Sequence, residues 1–413
     1  MKNRAFLAVL IFLVIFYSGV LISATYHQGA DFEVYWRAGK SLLEDTPLYD
    51  PSRAGGMVLK YPPWIASGFI LISLFSLPIA KCLWGLIQVL SLGSLVLQLK
   101  RSSIKQPWWV FILLVFSYWG LWIVHFLDGQ VTLVATAIAM RLFEPRLFTE
   151  SLDFSPMNRK RAFTSAIRFS FLVAVLSVKV LTILPVGVLF FSVGLSQGAS
   201  QFKRDAKKWL FYGISSGVLL AVLSIPAWRS HGYLSLDQFF EVWLKTSQSG
   251  GQLLAPAQVR GRLNPSVPSL ILQALSIPAS LQIYDKWLSV VSAVVASAVW
   301  LRVSLRLSIE NRFIGALAIV PMIHPLPFWH TYVMTFPLFG VLVLHALSSE
   351  FVRLRKWLFF SWFLMIPATE KVFGRAGLFI ETLGPKVWAT FIFLILAAIY
   401  LRKDDESGRI APL

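Results

Sequence analysis

The sequence predicts an all-α, polytopic helical membrane protein, and three observations carry that prediction. The 413-residue chain is 56% hydrophobic and only 14% charged, where soluble domains carry about 25% charged residues. Apolar runs of about 18 residues recur from end to end, each near the length that crosses a bilayer core. The 16 Trp, 11 Tyr and 33 Phe suit helix bundles with aromatic belts at both interfaces. A soluble globular enzyme is excluded. No polar stretch is long enough for a separate soluble domain, so residues 1–413 read as one membrane domain.

The net charge is +18, from 38 Lys+Arg against 20 Asp+Glu. In a soluble protein that would point to nucleic acid. Here most of the excess lies in short loops between apolar runs, where it orients helices. The expected partner is the bilayer and no nucleic acid. The single cysteine, Cys82, lies in an apolar run and says nothing of redox compartment.

The elements follow in order. Met1-Lys2-Asn3-Arg4 precedes an apolar run to Ala24, longer than a signal-peptide core. It reads as an uncleaved first helix over 5–24 with a cytoplasmic N-terminus. Further crossings are predicted at 82–99, 107–126, 130–143, 162–178, 180–196, 209–226, 286–301, 313–328, 331–349, 357–369 and 387–401. The total is about twelve transmembrane helices. Residues 61–99 would make ~58 Å of helix, too much for one crossing of a ~30 Å core. Counting them as one crossing keeps the basic clusters at Lys100–Lys105 and Arg141–Arg168 on the inner face with the others. Residues 61–77 are therefore expected as a juxtamembrane or re-entrant helix, bent from the next span near Pro78. The tail 402–413 is then cytoplasmic, and the inner basic loops read as topology signals.

Two outer segments, 25–61 and 227–285, are too long for connectors, and long loops in compact proteins often carry function. The first is rich in Tyr and Trp and is expected to be structured. The second mixes Ser, Gln, Gly and Pro. No tandem or inverted repeat is visible.

Candidate chemistry gathers at the outer boundary. Asp31 and Glu33 stand just past the first span beside Tyr35 and Trp36. A partly desolvated carboxylate there can serve as general base toward a hydroxyl; equally, Asp31 can cap a short helix over 32–44. Two oxygens without further ligands make a poor divalent-cation site. Tyr61 precedes Pro62-Pro63, which favours a helix start. Asp128-Gly129-Gln130 forms a tight turn after His125. Lys179 falls between two apolar runs, where it is either a phosphate contact or a snorkelling anchor. His324, Trp329 and His330 meet at another outer turn, without a third ligand at zinc spacing. Arg260, Arg262 and Asn264 close the second long segment.

Taken in order, these motifs resemble glycosyltransferase family 87, polytopic enzymes of the GT-C class. The resemblance runs over roughly 25–340 and rests on Asp31-Phe32, Tyr35-Trp36 and Ala38-Gly39; Leu48-Tyr49; Tyr61-Pro62-Pro63; Gly129-Gln130; Lys179, Thr182 and Pro185; Asn264 and Ser266; and Pro325 with Trp329-His330. Each motif is short, and the specificity lies in their sequence order. The chain departs from the family pattern at Lys179…Pro185, at Asn264-Pro265-Ser266 and at His330-Thr331.

The resemblance implies a GT-C-like fold and inverting transfer of a hexose, most often mannose, from a polyprenyl-phosphate donor on the extracytoplasmic face. It implies no cofactor and no metal. Asp31 would be the general base, with Lys179 and His330 on the donor phosphate. Glu33, Tyr35, Trp36, Tyr61, Gln130, Asn264, His324 and Trp329 would line the substrate pocket. The acceptor would be a glycolipid or glycan and, in a bacterium, the location the inner membrane. A transporter or flippase for lipid-linked sugars is the rival reading; it calls for mid-membrane charges and symmetric repeats. A non-catalytic scaffold would need no outer carboxylate.

Overall fold

The computed structural model describes residues 2–49, 59, 61–102, 106–150, 158–178, 184–197, 205–252, 266–274, 282–323, 329–348, 351–366, 376–377 and 379–401. Among them the chain is all-helical, with no strand. The helices are α1 (Lys2–His27), α2 (Ala30–Leu43), α3 (Pro63–Ser67), α4 (Leu77–Ser102), α5 (Trp108–Ser117), α6 (Trp119–Asp128), α7 (Thr132–Leu142), α8 (Arg146–Thr149), α9 (Arg159–Leu176) and α10 (Leu184–Gln197). They continue with α11 (Ala206–Ser230), α12 (Leu236–Gln252), α13 (Val267–Ala274), α14 (Gln282–Ser304), α15 (Ile309–Ile323), α16 (Phe336–Ser348), α17 (Val352–Met365) and α18 (Pro385–Tyr400). A 3₁₀ stretch, Trp329–Thr335, leads into α16.

Among the described residues, four stretches are long and apolar enough to cross a membrane: Leu77–Arg101, Ala206–Ser230, Trp287–Ser304 and Thr331–Ser348. The number rises to six if each of two bent pairs is one span. At 1.5 Å per residue, the 25 residues of Leu77–Arg101 reach about 37 Å. The chain is accordingly a helical membrane protein. Other predicted crossings also coincide with helices, but shorter ones, such as α7 and α18.

Burial sorts the long helices. Thr331–Ser348 is 72% buried and central, whereas Ala206–Ser230 is 17% buried and peripheral. The outward faces are apolar: Phe12, Ile15, Leu210, Val294 and Phe359 are all exposed. In water such a surface would drive association; against acyl chains it is matched. Close helix packing relies on small residues, as expected where lipid removes the hydrophobic drive. A Cβ on Gly85 would stand 3.1 Å from the Ile22 Cα, and Gly315 lies flat against the Trp300 indole.

The expected crossing at 107–126 is not straight. It divides at Tyr118 into α5 and α6, bent by 63°. Indoles serve the carbonyls at the break: Trp122 donates to the Val115 oxygen at 2.9 Å and Trp362 to the Ser117 oxygen at 2.8 Å. Residues 61–77 hold no helix long and apolar enough to cross a membrane. They form the five-residue α3, turns, and a 3₁₀ stretch Ile72–Leu74 ending in extended Phe75. Pro78 then sits in the first turn of α4, where it costs no hydrogen bond.

Candidate functional site

The site is built where α2 meets the end of α6. Gly29, with φ 48°, turns α1 into α2 through 63°. Gly129, with φ 68°, closes α6, its amide bonding back to the His125 and Phe126 oxygens at 3.1 Å. Both left-handed positions suit glycine. The two turns touch: the Gly29 amide donates to the Leu127 oxygen at 2.8 Å. A Cβ on Gly129 would fall 2.8 Å from the Phe32 Cβ. Trp84 on α4 locks the join, its indole donating to the Gly129 oxygen at 2.8 Å while its ring stacks on Phe32 at 5.3 Å.

Asp31 is therefore not the helix cap. Gly29 holds that position, the helix starts at Ala30, and Asp31 lies half-buried in the first turn. A carboxylate there is favoured by the helix dipole. One turn on, the buried Tyr35 hydroxyl lies 3.0 Å from the Tyr61 hydroxyl and donates to Gln130 Oε1 at 3.3 Å. Burial, and after it the Asp31 charge, hold the Tyr61 phenol well above its ordinary pKa. Tyr61 therefore stays protonated at neutral pH. With Tyr35 donating to Gln130, the relay runs Tyr61 to Tyr35 to Gln130. The carboxylates of Asp31 and Asp128 both lie within electrostatic reach of the Tyr35 hydroxyl.

Asp31, Tyr35, Tyr61 and Gln130 thus come together. Glu33 instead joins a surface ion-pair cluster, 2.5 Å from Arg37 and 3.8 Å from Lys81. Trp36 turns away to donate to the Phe75 oxygen at 3.0 Å. The 3₁₀ backbone carrying Trp329 and His330 packs against α6, α7 and α15. Lys179, Asn264 and His324 lie outside the described residues. Val178, just before Lys179, is buried in the same apolar cluster as Phe32 and Tyr35, and Ser177 Oγ accepts from the Trp64 indole at 2.8 Å. Among the described residues, no group of three His, Cys, Asp or Glu side chains is placed to hold a metal.

The two long outer segments, read separately in the sequence, dock on one another. Arg229 pairs with Asp45 at 2.5 Å, and the Tyr49 amide donates to His231 Nε2 at 3.3 Å. Burial lowers the His231 pKa, which keeps that nitrogen an acceptor. The Tyr49 hydroxyl in turn donates to the Tyr61 oxygen at 3.0 Å, so this docking reaches the site. The second segment also contains α12, which the sequence reading treated as loop. The signal was present: Ser235 and Gln238 have capping-box spacing, and the Gln238 amide oxygen accepts from the Ser235 amide at 3.3 Å. Phe239 on α12 then packs on Tyr49 and His231.

No family model matches this chain, and searches of the curated proteins and of the solved structures likewise find no match.

Proposed function

We propose that this chain is an integral membrane hexosyltransferase. It would move a hexose, mannose first among candidates, from a polyprenyl-phosphate donor to an acceptor hydroxyl on the extracytoplasmic face, with inversion. The observation that carries the reading is the meeting of Asp31, Tyr35, Tyr61 and Gln130. These residues come from three separate motifs of the family 87 resemblance, Tyr35 and Gln130 alone being 95 positions apart. A GT-C-like bundle of about twelve crossings belongs to this proposal, the shorter helices crossing in company with their neighbours.

In the proposed step the acceptor oxygen attacks the anomeric carbon as Asp31 takes its proton. The bond from that carbon to the phosphate oxygen breaks, and polyprenyl phosphate leaves with the electron pair. Its negative charge is met by Lys179 and His330, where preorganised donors act most strongly. Tyr35, Tyr61 and Gln130 orient sugar hydroxyls. The resemblance would add Asn264, His324 and Trp329 to the pocket, whereas Glu33 and Trp36, engaged with Arg37 and Phe75, stand apart from it.

The test is incubation of the purified chain with polyprenyl-phosphate [14C]mannose and membrane extract, with and without EDTA. EDTA-resistant labelled product is the expected result. Donor binding without transfer for any polyprenyl-phosphate hexose, together with movement of the donor across a vesicle membrane, would overturn it in favour of a flippase.

A further inference from the structure

A second site lies at the other end of the bundle. From Trp84 beside the Asp31 group, α4 reaches Gln98 after about 21 Å of helix; α7 starts close to Gln130 and ends at Leu142. Between these ends, α15 and α16 leave a cavity of about 290 Å³. Its walls include Leu95 and Ile314, and its polar lining is Gln98, Arg101, Arg141 and Glu310. Among the described residues, the side chains of Arg101, Arg141 and Glu310 make no hydrogen bond or ion pair with one another or with a neighbour. Both arginines are exposed at the opening, while Glu310 is half-buried.

We propose that this cavity binds the phosphate headgroup of an anionic membrane phospholipid. Two guanidinium groups beside one carboxylate leave a net positive lining, which favours a phosphodiester; Glu310 can accept from headgroup hydroxyls. Arginine matches phosphate oxygens bidentately. The apolar wall between α4 and α15 takes the start of an acyl chain, and basic pockets between membrane helices are known to hold such headgroups. A free phosphate would use the arginines and leave the apolar wall empty.

Native mass spectrometry of the detergent-purified full chain separates these cases, using short-chain phosphatidylglycerol, the matching diacylglycerol and inorganic phosphate as probes. The comparison protein is Arg101→Gln/Arg141→Gln, with circular dichroism and elution profile confirming its fold. Phosphatidylglycerol should bind the unaltered chain and bind the double variant roughly 30-fold more weakly, about a factor of five per arginine. Arg141→Lys keeps the charge but loses the bidentate fork, so its binding should fall between that of the unaltered chain and that of the double variant. Equal binding to both proteins, or diacylglycerol binding as tightly, overturns the proposal. Displacement by equimolar inorganic phosphate would overturn the lipid in favour of free phosphate. None of these variants touches Asp31, so the outcome is independent of the transferase reading.

Discussion

Gly129 sets how closely the end of α6 approaches the start of α2. Its φ of 68° and the 2.8 Å approach of Phe32 leave no room for a side chain. Gly129→Ala should lower stability by about 2–3 kcal/mol, from a left-handed backbone and an overpacked contact together; thermal unfolding in detergent measures this. Tyr35→Phe is milder. It removes the donor to Gln130 and should cost about 1 kcal/mol while reducing sugar binding more than turnover. Part of this residue-scale picture was legible in the sequence. Asp31 and Tyr35 stand four apart, so one helix face carries both. That Tyr61 and Gln130 complete the group was not legible from spacing, because only tertiary packing joins residues 95 positions apart.

At the scale of elements, helix existence was readable from apolar period, and helix breaks were not. The apolar period of 107–126 runs through the bend at Tyr118 unbroken; of the indoles that serve the Val115 and Ser117 carbonyls there, Trp122 lies in the same run but Trp362 comes from 245 positions away. The basic residues expected on the inner face also divide into two kinds. Arg101 and Arg141 are exposed, as topology signals should be, but Lys208 and Arg312 are buried. Lys208 donates to the Phe148 and Glu150 oxygens at 3.2 and 2.9 Å, and Arg312 to those of Leu305 and Leu307 at 2.6 and 3.1 Å. They satisfy carbonyls at helix ends. A second element-scale prediction concerns α2. A Cβ on Gly39 would fall 2.7 Å from the Phe69 oxygen and collide with Ser73 Oγ. Gly39→Ala should therefore push α2 off the 69–74 segment and lower the unfolding midpoint, by about 1–3 kcal/mol in stability.

For the whole molecule, the long helices are apolar outward. The described parts of 25–61 and 227–285 pack on one another, and His231 makes their contact pH-dependent. Its folded pKa lies below the ordinary 6.5, so the neutral ring is the folded form. The stabilisation is fully present above about pH 6.5 and is lost as pH falls through the lower folded value. The protection of the Tyr49 amide, measured against the intrinsic exchange rate at each pH, should accordingly fall in acid, and His231→Phe should abolish that pH dependence while keeping the ring contact. An amide equally protected at pH 7.5 and 4.5 would contradict the coupling.

The proposed function makes Asp31 the base of a transferase. Comparing the chain with Asp31→Asn for release of polyprenyl phosphate and appearance of labelled glycan, in membrane vesicles of both orientations, checks this. A loss of at least about 100-fold in rate is expected, the scale of general-base catalysis, with unchanged insertion and unfolding temperature. Asp31→Asn turning over near the rate of the unaltered chain would contradict it.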